Sequence, residues 1–173
     1  MKKIIAASVV SASLLGGVLV PAAQAAQTTT PVVPTTVDAQ KVTPQKYTTT
    51  KGAEQALEVA LKNIGKPFKD GGTSPKGFDA SGLVNYAFKQ GAKLDIPRSV
   101  ATQFKAGVAV KDQKWKKGDV VFFDLTGKKA PSFVGLYDGK GQVVAATTKG
   151  VKLFSITTGY WKDKVFAVKR FVK

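Results

Sequence analysis

Residues 74–88 read SPKGFDASGLVNYAF. A turn-rich start (Ser74, Pro75, Gly77) runs into an aspartate, and an apolar-periodic segment follows. Asp79 has the chemistry of an N-cap, because its carboxylate accepts hydrogen bonds from the exposed amides of a first helical turn. Leu83, Val84, Ala87 and Phe88 then recur at the spacing of one helical face, and Gly91 is a stop signal. The residue at the head of this predicted helix is Ala80, which carries no reactive group.

Upstream, AEQALEVALKNIG (53–65) places Ala56, Leu57, Ala60, Leu61 and Ile64 at helical spacing before Gly65. KPFKDGGTSPKGF (66–78), rich in glycine and proline, is expected to be a loop. Downstream, a shorter helix is expected from Val100 to Lys105, and then the period changes. DVVFFDL (119–125), SFVGLYD (132–138), QVVAAT (142–147), VKLFSI (151–156) and VFAVKRFV (165–172) are short β-branched or aromatic runs separated by turn signals. Helices followed by close-set strands imply an antiparallel sheet packed against helices, an α+β class.

The ends of the chain differ from this body. Lys2 and Lys3, a long apolar run and the small residues Ala23, Gln24 and Ala25 have the pattern of a secretory signal peptide over residues 1–25. With that segment cleaved, no membrane span is expected, and the destination is extracellular and cell-wall associated. Residues 26–52, rich in Thr, Pro and Gln, are expected to form a disordered linker ahead of a domain at 53–173.

The formal charge is +16 at pH 7, and residues 53–173 keep +12 of it. Such a field steers anionic ligands toward the protein. For an exported chain the counter-charge is the cell wall, and no nucleic acid is expected. Cysteine and histidine are both absent from the whole sequence. That removes thiol nucleophiles, imidazole bases and zinc sites built on either residue, so no metal or cofactor is expected.

Several segments together resemble the NlpC/P60 family of papain-like cell-wall peptidases. ALKNIGKPFKDGGTSPKGFDASGLVNYAFKQGAKLDIPRSVATQFKAG (60–107) resembles the family's G-x-P-Y-x-x-G-G, D-C-S-G-L and P-R-x-x-x-x-Q motifs. WKKGDVVFF (115–123) and APSFVGLYDGKGQVVAAT (130–147) resemble its G-D-hydrophobic-F-F and H-V-G-I-Y-x-G-x-G-x-x-x-H-A segments. The resemblance spans residues 53–173. It implies a papain-like domain, with N-terminal helices packed on a five- to six-stranded antiparallel sheet.

It also implies a site. In the family a cysteine at the helix head attacks a stem-peptide carbonyl, a sheet histidine takes its proton, and a third polar residue orients the imidazole. Those positions fall here on Ala80, Phe133 and Ala145, and the loop tyrosine falls on Phe68. Alanine cannot attack, and phenylalanine cannot accept a proton. Triad members act as a unit, so the expectation is a pseudoenzyme with an apolar, partly filled cleft formed by Phe68, Phe78, Ala80, Phe133 and Ala145.

Asp79 and Ser81 match residues that help receive the amino end of a stem peptide. Lys69 and Lys76 are candidates to help the helix start hold an anion. Arg98 matches the family's arginine and is expected chiefly to organise helix against loop. The partners implied are peptidoglycan stem peptides or anionic wall polymers, with cell-wall hydrolases as regulatory targets.

The competing enzymatic reading is a residual stem-peptide endopeptidase. Ser81 would act with Lys69 or Lys76 as base, or Asp70, Asp79 and Asp119 would supply acid–base chemistry. Against it, a residue next along a helix points about 100° away from its predecessor, and Asp79 and Asp119 read better as a cap and a turn residue. Trp115, Tyr160 and Trp161 offer sugar-stacking surfaces but read more simply as packing.

Overall fold

The computed structural model describes residues 50–111 and 114–172. The signal-peptide segment and most of the linker lie outside the described residues. Helix α1 (Thr50–Leu61) starts three residues before the expected domain boundary, so residues 50–52 belong to its first turn rather than to the linker.

Helix α1 buries Ala53, Ala56, Leu57 and Ala60, the face that the sequence spacing marks. It ends at Leu61, and Ile64 lies beyond it, 46% exposed rather than on the apolar face. The glycine-rich segment is not a plain loop. It folds into a two-residue hairpin, β1 (Thr73–Ser74) with β2 (Gly77–Phe78), leading directly into α2 (Ala80–Ala87).

Helix α2 does not run on to Gly91 in α form. It widens into a π-helical turn over Phe88–Ala92, closed by Lys93 in the left-handed region (φ 55°). Gly91 is required at this turn. A Cβ there would stand 2.5 Å from the backbone of Gln55 and Ala56, so a larger residue would push the turn off α1. Helix α3 (Val100–Ala106) follows, with the Ser99 hydroxyl capping it by accepting from the Thr102 amide.

The remaining elements are β3 (Val108–Ala109), β4 (Val120–Phe123), β5 (Phe133–Tyr137), β6 (Gln142–Thr147), β7 (Gly150–Ser155) and β8 (Val165–Arg170). They form a six-stranded sheet ordered β3-β8-β4-β5-β6-β7, every neighbouring pair antiparallel. The five sequence runs supply five of the strands. The sixth, β3, is only two residues long, too short to leave a period in the sequence.

All four residues of β4 are buried, which requires cover on both faces of the sheet. On one face the helices contribute Leu57, Leu83 and Phe88 against Phe122, Val134 and Val144. On the other, Val121, Phe123, Val143, Ala145 and Val168 form a second core, roofed by aromatic side chains. Strand alternation divides the residues cleanly: Val134 and Leu136 face the helices, whereas Phe133 and Tyr137 face away.

Asp119, expected to be a simple turn residue, is 1% exposed and forms a forked ion pair with Arg170 Nε and Nη2, both at 2.7 Å. It also accepts from the Lys116 amide, so it joins the start of β4 to the end of β8. The hydrogen bonds that Arg170 donates to Asp119 raise the Arg170 pKa, outweighing the burial that lowers it. No described helix is long and apolar enough to cross a membrane.

Candidate functional site

The site begins at the mouth of α2. Asp79 caps the helix as the sequence predicts, its Oδ1 accepting from the Gly82 amide at 2.7 Å. The Asp79 amide in turn donates to Gly72 O, which ties the glycine-rich hairpin to the helix start. Gly82 lies so close to Gly72 O that a Cβ would stand 2.0 Å from it, so the D-x-S-G sequence fixes loop and helix at one crossing.

Arg98 grips this cap. It donates to both Asp79 carboxylate oxygens, and its Nη1 also donates to Ser81 Oγ at 2.8 Å. Ser81 Oγ completes the triangle by donating to Asp79 Oδ1 at 3.3 Å. Burial pushes the Asp79 pKa up. The hydrogen bonds from Arg98 and the Gly82 amide, the Arg98 charge and the Ser81 hydroxyl together outweigh it and hold the carboxyl below its ordinary value.

Gln103, fully buried on α3, donates to Ser81 O and Pro97 O and locks the Arg98 loop onto α2. Arg98 therefore organises helix against loop, as its motif suggests. Asp79 and Ser81 spend their polar atoms within this network. Ser81 is only 7% exposed, and the group facing its hydroxyl is the Arg98 guanidinium, which has donors and no acceptor.

Ala80, the first residue of α2, is half-buried and packs on the helix-side core. Phe133 and Ala145 project from the opposite sheet face, in the second core. Of the five apolar positions expected to form a cleft, Phe78 and Ala80 thus pack with the helix-side core and Phe133 and Ala145 with the second core. Phe78 is fully buried against Tyr86, with ring centroids 5.2 Å apart, while Phe68 is 39% exposed on the loop, bridged to Phe78. Lys69 and Lys76 are exposed, and neither makes an ion pair among the described residues.

Phe133 enters an aromatic cluster that sequence reasoning did not assemble. Its ring lies 5.8 Å from Phe123 and 5.2 Å from Trp161, which stacks on Phe154 at 4.2 Å and 25°. Trp161 also meets Phe123 edge-on at 5.3 Å. Cross-strand pairing brings Phe123 to Phe133, and a 3-10 turn (Gly159–Lys164) delivers Trp161 from 28 positions away in sequence. Trp115 makes a separate edge contact with Tyr137 at 5.5 Å, which bears out the packing role for that indole.

With the helix-capped D-x-S-G crossing and the β5–β6 pair in place, the chain can be set against known proteins. A profile of the NlpC/P60 family matches residues 65–170. The chain belongs to the NlpC/P60 family.

Among curated NlpC/P60 relatives, the gamma-DL-glutamyl hydrolase of Bacillus subtilis (strain 168) is 39% identical over 117 residues, covering 66% of this chain and 28% of that protein. The murein DD-endopeptidase MepH of Escherichia coli (strain K12) is 33% identical over 141 residues, covering 79% of this chain and 50% of that protein. The chain thus spans half or less of these two relatives' lengths. Among solved structures, RipD of Mycobacterium tuberculosis matches with a TM-score of 0.56 and 30% identity, covering 70% of this chain and 98% of that one. RipD is described as a non-catalytic NlpC/p60 domain protein adapted to peptidoglycan binding.

Proposed function

We propose that this chain is an exported, non-catalytic NlpC/P60 protein that binds peptidoglycan without cutting it. One observation carries the reading: the whole sequence contains neither cysteine nor histidine, so the positions matching the family's nucleophile, base and orienting residue are Ala80, Phe133 and Ala145. Amide hydrolysis by this family's route needs a thiolate and a proton acceptor, and no residue at these positions supplies either. The packing of the half-buried Phe133 ring against Phe123 and Trp161 adds support, since an apolar contact holds the position that matches the family's base. RipD, described as non-catalytic and peptidoglycan-binding, is a structural precedent for the same outcome on this fold.

The intact frame around the site fits retention of binding. The Asp79–Arg98–Ser81 network keeps α2, the hairpin and the Arg98 loop in register, so the surface that meets the wall polymer keeps its shape. The basic charge of the domain supplies attraction to an anionic wall, and the signal-peptide pattern supplies the route to it.

The test is incubation of the purified chain with intact sacculi. The expected result is co-sedimentation with the sacculi and no soluble muropeptide by chromatography, even after prolonged incubation. Release of stem-peptide fragments that a Ser81→Ala variant abolishes would instead establish a serine hydrolase. Failure to sediment would remove peptidoglycan as the ligand.

A further inference from the structure

Strand β7 is the last strand of the sheet, and its outer edge is only partly used. Residues of an antiparallel edge strand alternate between bonding inward to the neighbour and presenting amide and carbonyl outward. The phase here is set twice. Ile156 donates inward to Gly141 O, across the β6–β7 side. Val151 instead bonds on the side away from β6, donating to Lys66 O and accepting from the Gly65 amide, both at 2.9 Å.

Leu153 shares the phase of Val151. Its amide and carbonyl therefore point outward, and no described residue takes them. Its side chain is 36% exposed. Two grooves meet at this residue, one on each face of the sheet. The groove on the helix side, about 290 Å³, has Leu57, Leu61 and Leu153 as its apolar wall, with Glu54, Glu58 and Asp138 and the lysines Lys117 and Lys140 also in its lining. The other, about 320 Å³, is bounded by Lys149, Lys152, Phe154 and Trp161 and has no carboxylate in its lining.

This is the arrangement that receives an added strand: an open backbone edge, with a depression on either side for alternate side chains. We infer that the outer edge of β7 at Leu153 docks an extended acidic peptide segment by strand addition. Its apolar side chains enter the Leu57–Leu61 groove, and its carboxylates face Lys149 and Lys152. Charge complementarity on the side of Lys149 and Lys152, where the groove has no carboxylate, selects carboxylates for that face of the added strand and leaves its apolar side chains for the helix-side groove. A second copy is disfavoured, since two domains of +12 repel. The site lies apart from the α2 mouth, and the inference stands independently of the peptidoglycan reading.

The probe is the synthetic peptide Ac-Gly-Val-Glu-Val-Glu-Val-Gly-NH2, titrated into the full chain by NMR and calorimetry. A matched peptide with lysine for glutamate is the control. The expected result is saturable binding of the acidic peptide, slowed hydrogen exchange at the Leu153 amide, and at least tenfold weaker binding of the lysine peptide. The key variant is Leu153→Pro. It removes an outward amide and leaves the β6 ladder intact, because proline is tolerated on an edge strand where its missing donor faces solvent.

Leu153→Pro is expected to weaken the acidic peptide at least tenfold with an unchanged circular dichroism spectrum. Should that variant fail to fold, the exposed-charge variant K149E/K152E carries the same tenfold expectation. The proposal is overturned by absence of saturable binding, by equal affinity in a folded variant, or by a dimer of the native chain that Leu153→Pro dissociates, which would make a second copy the occupant. Sacculus binding that survives any of these results leaves the peptidoglycan reading standing.

Discussion

Arg98 holds both carboxylate oxygens of Asp79 while the same carboxylate caps α2, so one acid closes the helix start and ties it to a loop 19 residues away. Its pKa lies below the ordinary 3.8, so the stabilisation is fully present above that value and is lost as pH falls through the lower, folded-state pKa. Replacing Arg98 with methionine is expected to cost about 1–2 kcal/mol at neutral pH, a modest figure because the pair is partly open to solvent. Urea denaturation should show this loss shrinking below pH 4, where the unmodified chain forfeits the same interaction. The cap was legible in the sequence because a side chain three positions before an amide is a local relation. The Arg98 grip was legible only through the motif, since spacing alone does not tell where a loop arginine lands.

At the scale of elements, the strands were readable because β-branched and aromatic runs leave a period of two, and each run became a strand. What escaped was set by packing between elements. The hairpin Thr73–Phe78 is two short pairings inside a glycine-rich stretch, and the π-helical turn at Phe88–Ala92 answers to the close approach of α1 at Gly91. The aromatic cluster was hidden for the same reason, since Phe123, Phe133, Phe154 and Trp161 come from four separate segments. It is this cluster, rather than a cleft formed with Phe68 and Phe78, that surrounds position 133. Trp161→Ala is therefore expected to destabilise the domain by about 2–3 kcal/mol, less than a fully buried tryptophan because the indole is only half-buried. A thermal melt with a midpoint lowered by several degrees would accord with this; an unchanged midpoint would show that the rings contribute no packing energy.

For the whole molecule, the charge balance governs long-range behaviour while the two-faced core governs the shape. A net +12 over residues 53–173 is carried mainly by exposed lysines, and such attraction is screened once the Debye length shrinks to a few ångström. Binding to sacculi is accordingly expected to weaken at least tenfold between about 0.05 M and 0.5 M salt if the lysine field dominates, measured by sedimentation on sacculi stripped of teichoic acid. Salt-insensitive retention would assign the interaction to a shaped surface instead. The fold class was legible at this scale because helices followed by close-set strands admit few layer arrangements. Which of the two cores Phe133 and Ala145 join was not, because it depends on which side of β5 and β6 each residue turns.

The stacked rings beside Phe133 bear on what a polar side chain could do at that position. A histidine placed there would meet ring carbon from Phe123 and Trp161, and the partial burial of the position disfavours its protonated form. Exchanging that one side chain leaves Phe123, Phe154 and Trp161 in place, so the setting of position 133 is a property of four segments and not of a single residue.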